Sequence, residues 1–226
     1  HIHDRRQRQM CIRDRFDLII KNGSIYDGKG SKPYQADIAI LNEKIVEIGD
    51  IKGEGKKVID AEGKIVTPGF VDIHTHYDGQ VTWDPYLRPS TYHGVTTVVM
   101  GNCGVGFSPC KPDQRNWLIG LMEGVEDIPG TALHEGIDWE WESFPEYLDA
   151  LERKPLAIDV GTQIPHGAVR AYVMGERGIN HEEASQEEID RMKEIVQEAI
   201  KAGAYGFSTS RLSLIHISEP TRRTSI

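Results

Sequence analysis

The chain has 226 residues, of which 38% are hydrophobic, and a net charge of −9. No apolar run approaches the roughly 18 residues that a membrane-spanning helix needs, which excludes a helical integral membrane protein. Residues 1–15 carry a net charge of +3 and residues 213–226 carry +1, which leaves −13 for residues 16–212 and argues against nucleic acid or an anionic membrane as the partner.

The two terminal segments differ in composition from the rest of the chain. Residues 1–15 and 213–226 together hold seven of the 14 arginines and none of the 12 lysines. Both segments resemble translated sequencing-adapter sequence, and we expect them to be non-native tails. Disordered natural tails are the alternative, and under either interpretation both segments are excluded from the fold.

Residues 16–68 predict a small β domain without helices. Apolar and polar residues alternate with period two over residues 36–40, which is typical of a half-buried strand. Asn22-Gly23 predicts a tight hairpin turn, and Asn42-Glu43 predicts a second turn. Further strands are predicted at residues 16–20, 44–48, 58–61 and 64–66, the last two as a pair.

Pro68-Gly69 marks a domain boundary, after which strands and helices alternate. Ser185 and Glu188 form a capping box that predicts the start of a helix. Four strands separated by helices indicate a parallel α/β sheet or barrel. A complete eight-unit barrel is larger than the remaining chain, so residues 69–212 fit the first half of one. The strands are predicted at 70–73, 96–100, 156–160 and 204–208, two earlier helices at 117–122 and 144–153, and irregular structure at 123–142.

A His-x-His sequence at the end of a predicted strand is the strongest chemical signal. Side chains alternate along a strand, so His74 and His76 point to the same side. Residues at the C-terminal end of a barrel strand reach the active site, where two imidazoles can bind one metal ion through nitrogens at about 2.0–2.1 Å. A chance His-x-His at a strand end is the alternative interpretation.

Cys103 follows the next predicted strand, between an asparagine and a glycine. A thiolate at this position can bind or bridge zinc, whereas a lone cysteine is more often a small buried hydrophobic residue. His74 and His76 on the neighbouring strand favour the metal-binding role. Cys110 is interpreted as structural. Two core cysteines do not make a disulfide framework, which favours a reducing, cytoplasmic location.

Three segments closely resemble the N-acyl-D-amino-acid deacylase (D-aminoacylase) branch of the amidohydrolase superfamily. They are residues 68–78 (PGFVDIHTHYD), 94–104 (GVTTVVMGNCG) and 206–210 (GFSTS). The resemblance covers nearly all of residues 16–212. The His-x-His sequence marks the superfamily. The Gly-Asn-Cys-Gly sequence narrows it to this branch, because most other members use a carboxylated lysine where this branch uses cysteine.

The resemblance implies a fold and a metal site. The fold is a (β/α)8 TIM barrel beside a small β-sandwich, with residues 69–212 as the first half of the barrel and residues 16–68 as the N-terminal part of the sandwich. His74 and His76 would bind one zinc position, and Cys103 would bind a second or bridge the two, so the cofactor is one or two zinc ions. Two further histidines and an aspartate that serves as general base would lie beyond Leu212.

The resemblance also implies an activity. It is the hydrolysis of the amide bond of N-acyl-D-amino acids by a metal-activated water, which is amidohydrolase chemistry on a non-peptide C–N bond. The partner would be a small-molecule N-acyl amino acid, with no nucleic acid and no membrane. We expect the chain of 226 residues to be inactive alone, because it lacks part of the active site.

Three other residues are weaker candidates for contacts with a ligand residue or the substrate. Asp72 precedes the first histidine and either supports it or holds the strand in place. Asp78 either orients a ligand or starts a loop. His166 follows the third predicted strand, where a substrate contact and an ordinary loop histidine both remain open.

Two other functions are compatible with the sequence. A cyclic-amide hydrolase, similar to a hydantoinase or dihydroorotase, would use a carboxylated lysine on a later strand and leave Cys103 idle. A truncated polypeptide without stable function is the second, because half a barrel leaves an open edge on its parallel sheet.

Overall fold

The computed structural model describes residues 15–209. Within this range the chain forms two compact units that divide between Pro68 and Gly69. The predicted tails lie outside the described residues, except that Arg15 is already the first residue of strand β1. Together the two units make a mixed α/β protein. None of the helices in residues 15–209 is long and apolar enough to cross a membrane.

The first unit is a five-stranded sheet in the order β3-β2-β1-β4, with β5 also paired to β1. The β1–β2 and β2–β3 pairs are antiparallel, and β4 and β5 both run parallel to β1. The turn predicted at Asn42-Glu43 is confirmed and joins β2 to β3. The strands are β1 (Arg15–Ile25), β2 (Tyr34–Leu41), β3 (Lys44–Gly49), β4 (Glu54–Asp60) and β5 (Ile65–Val66).

Two local predictions for this unit are wrong. Asn22-Gly23 is not a hairpin turn, because β1 continues to Ile25 and the pairing with β2 shifts register at this point. Asn22 has a φ of 61°, and its backbone N–H donates to Asp37 Oδ1 at 2.9 Å, so the left-handed residue is absorbed as a β-bulge. The strands predicted as a pair, now β4 and β5, each pair with β1 instead.

The second unit is built on parallel strands. The order β6-β7-β8 forms one sheet, and β9 pairs with β10. Gln163 separates β8 from β9, and its N–H donates to Met100 O at 2.9 Å, while Tyr205 N–H donates to Thr162 O at 2.9 Å. These bonds place four strand paths side by side in chain order: β6, β7, β8 continued by β9, and β10. The strands are β6 (Phe70–Asp72), β7 (Val95–Met100), β8 (Asp159–Thr162), β9 (Ile164–Pro165) and β10 (Phe207–Ser208).

Helices connect these strands. Capping boxes start two of them, at Ser143 with Glu146 and at Ser185 with Glu188, and the second was predicted. The irregular structure predicted over 123–142 is wrong in part, since a helix ends and another lies within it. The α-helices are α1 (Arg115–Glu126), α2 (Gly130–Gly136), α3 (Phe144–Glu152), α4 (His166–Met174), α5 (Glu176–Ile179) and α6 (Gln186–Ala202).

One hydrophobic core holds the second unit together. Met100 from β7, Leu118 from α1 and Tyr147 from α3 are each nearly inaccessible to solvent and belong to the same cluster, as does Ile164 from β9. Strand β7 is anchored in this core, and the parallel pairing of β6 with β7 fixes the register of their C-terminal ends. These ends carry the residues described next.

Candidate metal centre

The structure brings together the three predicted ligand residues. His74 Nε2 lies 3.1 Å from Cys103 Sγ, and the rings of His74 and His76 have centroids 5.4 Å apart. One ligand atom from each of the three residues lies within 4.8 Å of the others. His74 is exposed, whereas His76 and Cys103 are half-buried.

The parallel pairing of β6 and β7 explains this proximity. Both strands end at the same edge of the sheet, so the segments that follow them are neighbours. Thr75, between the two histidines, is buried, and its backbone N–H and its Oγ1 both donate to Val99 O, at 3.0 and 2.9 Å. Thr75 is therefore tied to β7, and the alternation of side chains leaves His74 and His76 on the other side.

A strained loop presents Cys103. Its φ is 54°, and the glycines at 101 and 104 have φ values of 75° and 73°, so three residues within four adopt the left-handed conformation. A Cβ atom at Gly101 would collide with the backbone of Gln163. The Gly-Asn-Cys-Gly sequence thus supplies glycine where the backbone needs it, and leaves cysteine as the residue that carries the strain.

Asn102 anchors this loop to the strands on either side. Its Nδ2 donates to Thr75 O at 3.1 Å and to Val99 O at 2.9 Å. Its Oδ1 accepts from Gln163 Nε2 at 2.8 Å. The side chain is buried and joins the ends of β6, β7 and β8, so it fixes the position of the adjacent Cys103 relative to the histidines.

Ser208, on β10, holds the same loop from the far side. Its Oγ donates to Gly101 O and accepts from the N–H of Gly104 at 3.1 Å. Ser208 lies in the segment that contributed to the family resemblance, but the sequence alone indicated no contact with the cysteine loop. Four strands therefore contribute to the position of one thiol.

Glu126, the last residue of α1, also reaches the site. Its Oε1 lies 3.3 Å from His76 Nε2. Burial lowers the pKa of His76, and the negative charge of Glu126 opposes that shift. Burial raises the pKa of the Cys103 thiol, and the charges of Glu126 and Asp78 add to the rise. Sequence reasoning missed Glu126, because an acidic residue at a helix end carries no local signature of a site.

Of the two weaker aspartate candidates, Asp72 contacts the His-x-His segment, and Asp78 is buried two residues beyond it. Asp72 Oδ1 accepts from the backbone N–H of His74 at 3.1 Å, which fixes the start of the segment. Asp78 is fully buried, and burial raises the pKa of its carboxyl to about 7. Tyr147 donates its hydroxyl to the backbone carbonyl of Asp78 at 2.9 Å, which ties the chain just beyond His76 to α3.

His166 does not join the three ligand residues. It is the first residue of α4 rather than a loop residue, and its ring packs edge-on against Phe207 at 6.0 Å between centroids. It lines a cavity of about 370 Å³ together with Val169 and Met192. The loop interpretation is wrong because His166 lies in the first turn of α4. The sequence did not predict this helix because α4 starts directly after Pro165 without a side-chain cap.

The donor atoms at the site fit zinc. Two imidazole nitrogens and a thiolate sulfur are the ligand types that zinc binds, at about 2.0–2.1 Å and 2.3 Å. The spread of 4.8 Å between the ligand atoms lets one ion reach them after small side-chain rotations. Imidazole nitrogens and a soft thiolate do not suit calcium or magnesium, which prefer oxygen ligands throughout.

A mixed α/β unit with a His-His-Cys group where parallel strands end is typical of a metal-dependent hydrolase. Residues 57–222 match the model of the amidohydrolase family, and the chain belongs to this family. A D-aminoacylase from Alcaligenes xylosoxydans xylosoxydans is 34% identical over 195 residues, which are 86% of this chain and 37% of the relative. An N-acyl-D-aspartate deacylase from the same organism is 34% identical over 194 residues, 85% of this chain and 36% of that relative.

A solved structure gives the same similarity in three dimensions. The N-acyl-D-glutamate deacylase from Bordetella bronchiseptica, complexed with zinc and a phosphonate inhibitor that mimics the tetrahedral intermediate, superposes with a TM-score of 0.73 at 32% sequence identity. The match covers 86% of this chain and 38% of that one. The resemblance inferred from three sequence segments is thus confirmed, and the chain spans a little over a third of the length of these relatives.

Proposed function

We propose that the enzyme to which this chain contributes hydrolyses the amide bond of N-acyl-D-amino acids with the help of one or two zinc ions. The observation that carries the proposal is the 3.1 Å separation between Cys103 Sγ and His74 Nε2. It places the residue that distinguishes the deacylase branch beside the residues that mark the superfamily. The relatives with this substrate class are 34% identical to the chain.

The fold proposal follows from the strand order. Residues 69–212 form the first half of a (β/α)8 barrel, and residues 16–68 form part of a β-sandwich. Parallel strands that neighbour each other in chain order, with helices between them, support the barrel, because each further unit would extend the sheet in the same direction. The ligand residues lie after the C-terminal ends of β6 and β7, which is where active sites form in such barrels.

Each residue at the site then has a role. His74, His76 and Cys103 hold the metal, and Asp72 fixes the backbone of His74 through its N–H. When bound, zinc lowers the pKa of a coordinated water and polarises a substrate carbonyl. Asn102 and Ser208 keep the thiol in reach of the histidines. In this proposal, the general-base aspartate and two further histidines belong to strands beyond Leu212.

The geometry favours this proposal over a cyclic-amide hydrolase. In that alternative, a carboxylated lysine would be the bridging ligand and Cys103 would have no contact with the metal residues. Cys103 instead lies against His74, on a loop that four strands hold in a strained conformation. Strain of this kind is retained where the surrounding structure enforces it, and it often occurs at functional sites.

The test is the Cys103→Ala substitution in the complete enzyme. We expect the variant to lose bound zinc and the hydrolysis of N-acetyl-D-amino acids, while Cys110→Ala, a buried cysteine that serves as the matched control, retains both. Zinc content is measured by elemental analysis, and activity is compared on N-acetyl-D-glutamate and hydantoin. Unchanged zinc and rate in Cys103→Ala, or turnover of hydantoin alone, would contradict the proposal.

A further inference from the structure

We propose that Asp78 supports the metal centre from within the core: it packs between the His-x-His segment and the loop that carries Cys103, and its buried carboxylate favours a bound cation at a cost in stability. The inference rests on the proposed function, because it takes His74, His76 and Cys103 as the zinc site. It assigns a role to a buried acidic residue that the proposed mechanism does not use.

Asp78 lies between the two segments that carry the ligand residues. It follows His76 by two positions, and its backbone carbonyl accepts the hydroxyl of Tyr147 at 2.9 Å. Its carboxylate reaches the residues just after Cys103, where a Cβ atom added at Gly106 would lie 3.0 Å from Asp78 Oδ1. A side chain at position 106 would press against this oxygen, so the glycine lets the carboxylate pack directly against the loop. A change at Asp78 therefore acts on both segments.

The carboxylate of Asp78 is costly to bury. The residue is 2% exposed, and its Oδ2 is buried without a hydrogen-bond partner among the described residues. A buried carboxylate oxygen that lacks a donor loses the hydration that it has in the unfolded chain, which lowers the stability of the fold. Natural proteins retain such local conflicts mainly at functional sites. The position of this carboxylate beside the loop of Cys103 indicates that the function is metal binding.

The charges around Asp78 favour a cation. Glu126 and Cys103 are close enough for their negative charges to interact with that of Asp78. In the metal-free protein these like charges repel one another, whereas a zinc ion at the site attracts all of them. His74 and His76 bind a metal as neutral imidazoles and do not compensate the charge. The carboxylate that destabilises the metal-free fold therefore strengthens metal binding.

The experiment measures stability and zinc affinity in the same variants of the complete enzyme. Asp78→Asn keeps the size of the side chain and removes its charge. Asp84→Asn is the matched control, because Asp84 is also buried, at 6% exposure, but both of its carboxylate oxygens have donors. They accept hydrogen bonds from Gln80 Nε2 at 3.1 Å and from the backbone N–H groups of Tyr86 and Arg88 at 3.1 and 3.0 Å. Urea unfolding of the metal-free enzyme measures stability, and competition with a chelating dye measures zinc affinity.

We expect Asp78→Asn to weaken zinc binding by about 10–100-fold, the range typical of residues that support metal ligands. The metal-free variant should unfold at the wild-type urea concentration or above it, because a neutral amide costs less to bury than a carboxylate. Asp84→Asn should show the reverse, with a lower unfolding midpoint and an unchanged zinc affinity. A residue with a purely structural role would lower both properties together.

Two results overturn the inference. One is a zinc affinity in Asp78→Asn that equals or exceeds that of the wild type, and the other is a loss of affinity accompanied by a lower unfolding midpoint. Cys103→Ala separates these results from the fate of the proposed function. If Cys103→Ala loses its zinc while Asp78→Asn binds zinc like the wild type, the zinc site stands and only the inference fails. If Cys103→Ala retains its zinc, the proposed function fails, and the inference fails with it.

Discussion

At the scale of single residues, some side chains of the site could be predicted from a sequence motif and others could not. His74 and His76 were predictable because their spacing of two on a strand places them on one side. Cys103 was predictable from its place after the next strand. Glu126 was not, because it lies at the end of a helix, and only the tertiary structure brings it within 3.3 Å of His76.

The same distinction applies to the residues that support the ligands. The hydrogen bonds of Asn102 join residues that are 27 and 61 positions apart in the sequence. No local pattern encodes such contacts, so the role of Asn102 could not be derived before the strand order was known. The role of Asn102 in positioning Cys103 can nevertheless be tested, because its side chain is buried and makes three hydrogen bonds.

We expect Asn102→Ala to lower both stability and metal affinity. The substitution leaves the carbonyl of the buried Thr75 and the side-chain amide of the half-buried Gln163 without their partner, and a buried group left unpaired costs about 1–3 kcal/mol. A less constrained Cys103 should weaken zinc binding by about 10–100-fold. Urea unfolding measures the loss of stability, and competition with a chelating dye measures the loss of zinc affinity.

Asn116→Ala is the matched control, since Asn116 is exposed on α1 and should tolerate alanine without loss of either property. A variant at position 102 that unfolds at the wild-type urea concentration and binds zinc as tightly would show that the network does not position the thiol.

At the scale of secondary-structure elements, the sequence was informative where a start signal is local. Helix α6 runs from Gln186 to Ala202 directly after the predicted capping box, because Ser185 and Glu188 satisfy each other's backbone N–H groups. Helix α4 was missed because it begins after a proline without a side-chain cap. The β-bulge at Asn22 was misread because a left-handed asparagine before glycine is equally typical of a hairpin turn.

The capping box of α6 allows a quantitative prediction. Ser185 Oγ accepts from the backbone N–H of Glu188 at 3.2 Å, and Glu188 Oε2 accepts from the N–H of Ser185 at 2.7 Å. We expect Ser185→Ala to lower the free energy of unfolding by about 0.5–2 kcal/mol. Urea denaturation followed by circular dichroism measures this change.

Ser185→Asp is the informative comparison, because aspartate also accepts the N–H of Glu188 and adds a favourable charge at the helix N-terminus. It should retain most of the wild-type stability. Equal losses in the alanine and aspartate variants would contradict the capping interpretation and point to packing of the serine itself.

At the scale of the whole molecule, the outer edge of strand β6 in the second unit is unpaired in the described residues. Strand β6 is the outer strand of the order β6-β7-β8, and its neighbouring residues Phe70 and Val71 are each 58% exposed although they point to opposite faces. Ile73, just beyond the strand, is 73% exposed. An apolar outer strand with free backbone groups is a template for pairing with another chain.

We therefore expect the chain of 226 residues to self-associate through β6. Val71→Lys places a charge on the edge strand and should shift the chain toward monomer, as charged residues on natural edge strands do. Tyr92→Lys is the matched control, because it removes an even more exposed large side chain, 73% accessible, from a position outside any strand. Light scattering coupled to size-exclusion chromatography measures the mass of each variant.

The comparison of the two variants separates two causes of association. If general surface hydrophobicity drives it, both lysine substitutions reduce the mass to a similar extent. If strand pairing drives it, only Val71→Lys does, because Val71 lies on an outer strand with unpaired N–H and C=O groups, whereas Tyr92 lies outside any strand. A wild-type chain that stays monomeric at all concentrations would contradict the prediction, and would imply that β6 is covered in solution. A covered β6 is what a completed barrel requires, since closing the sheet pairs its first strand with its last.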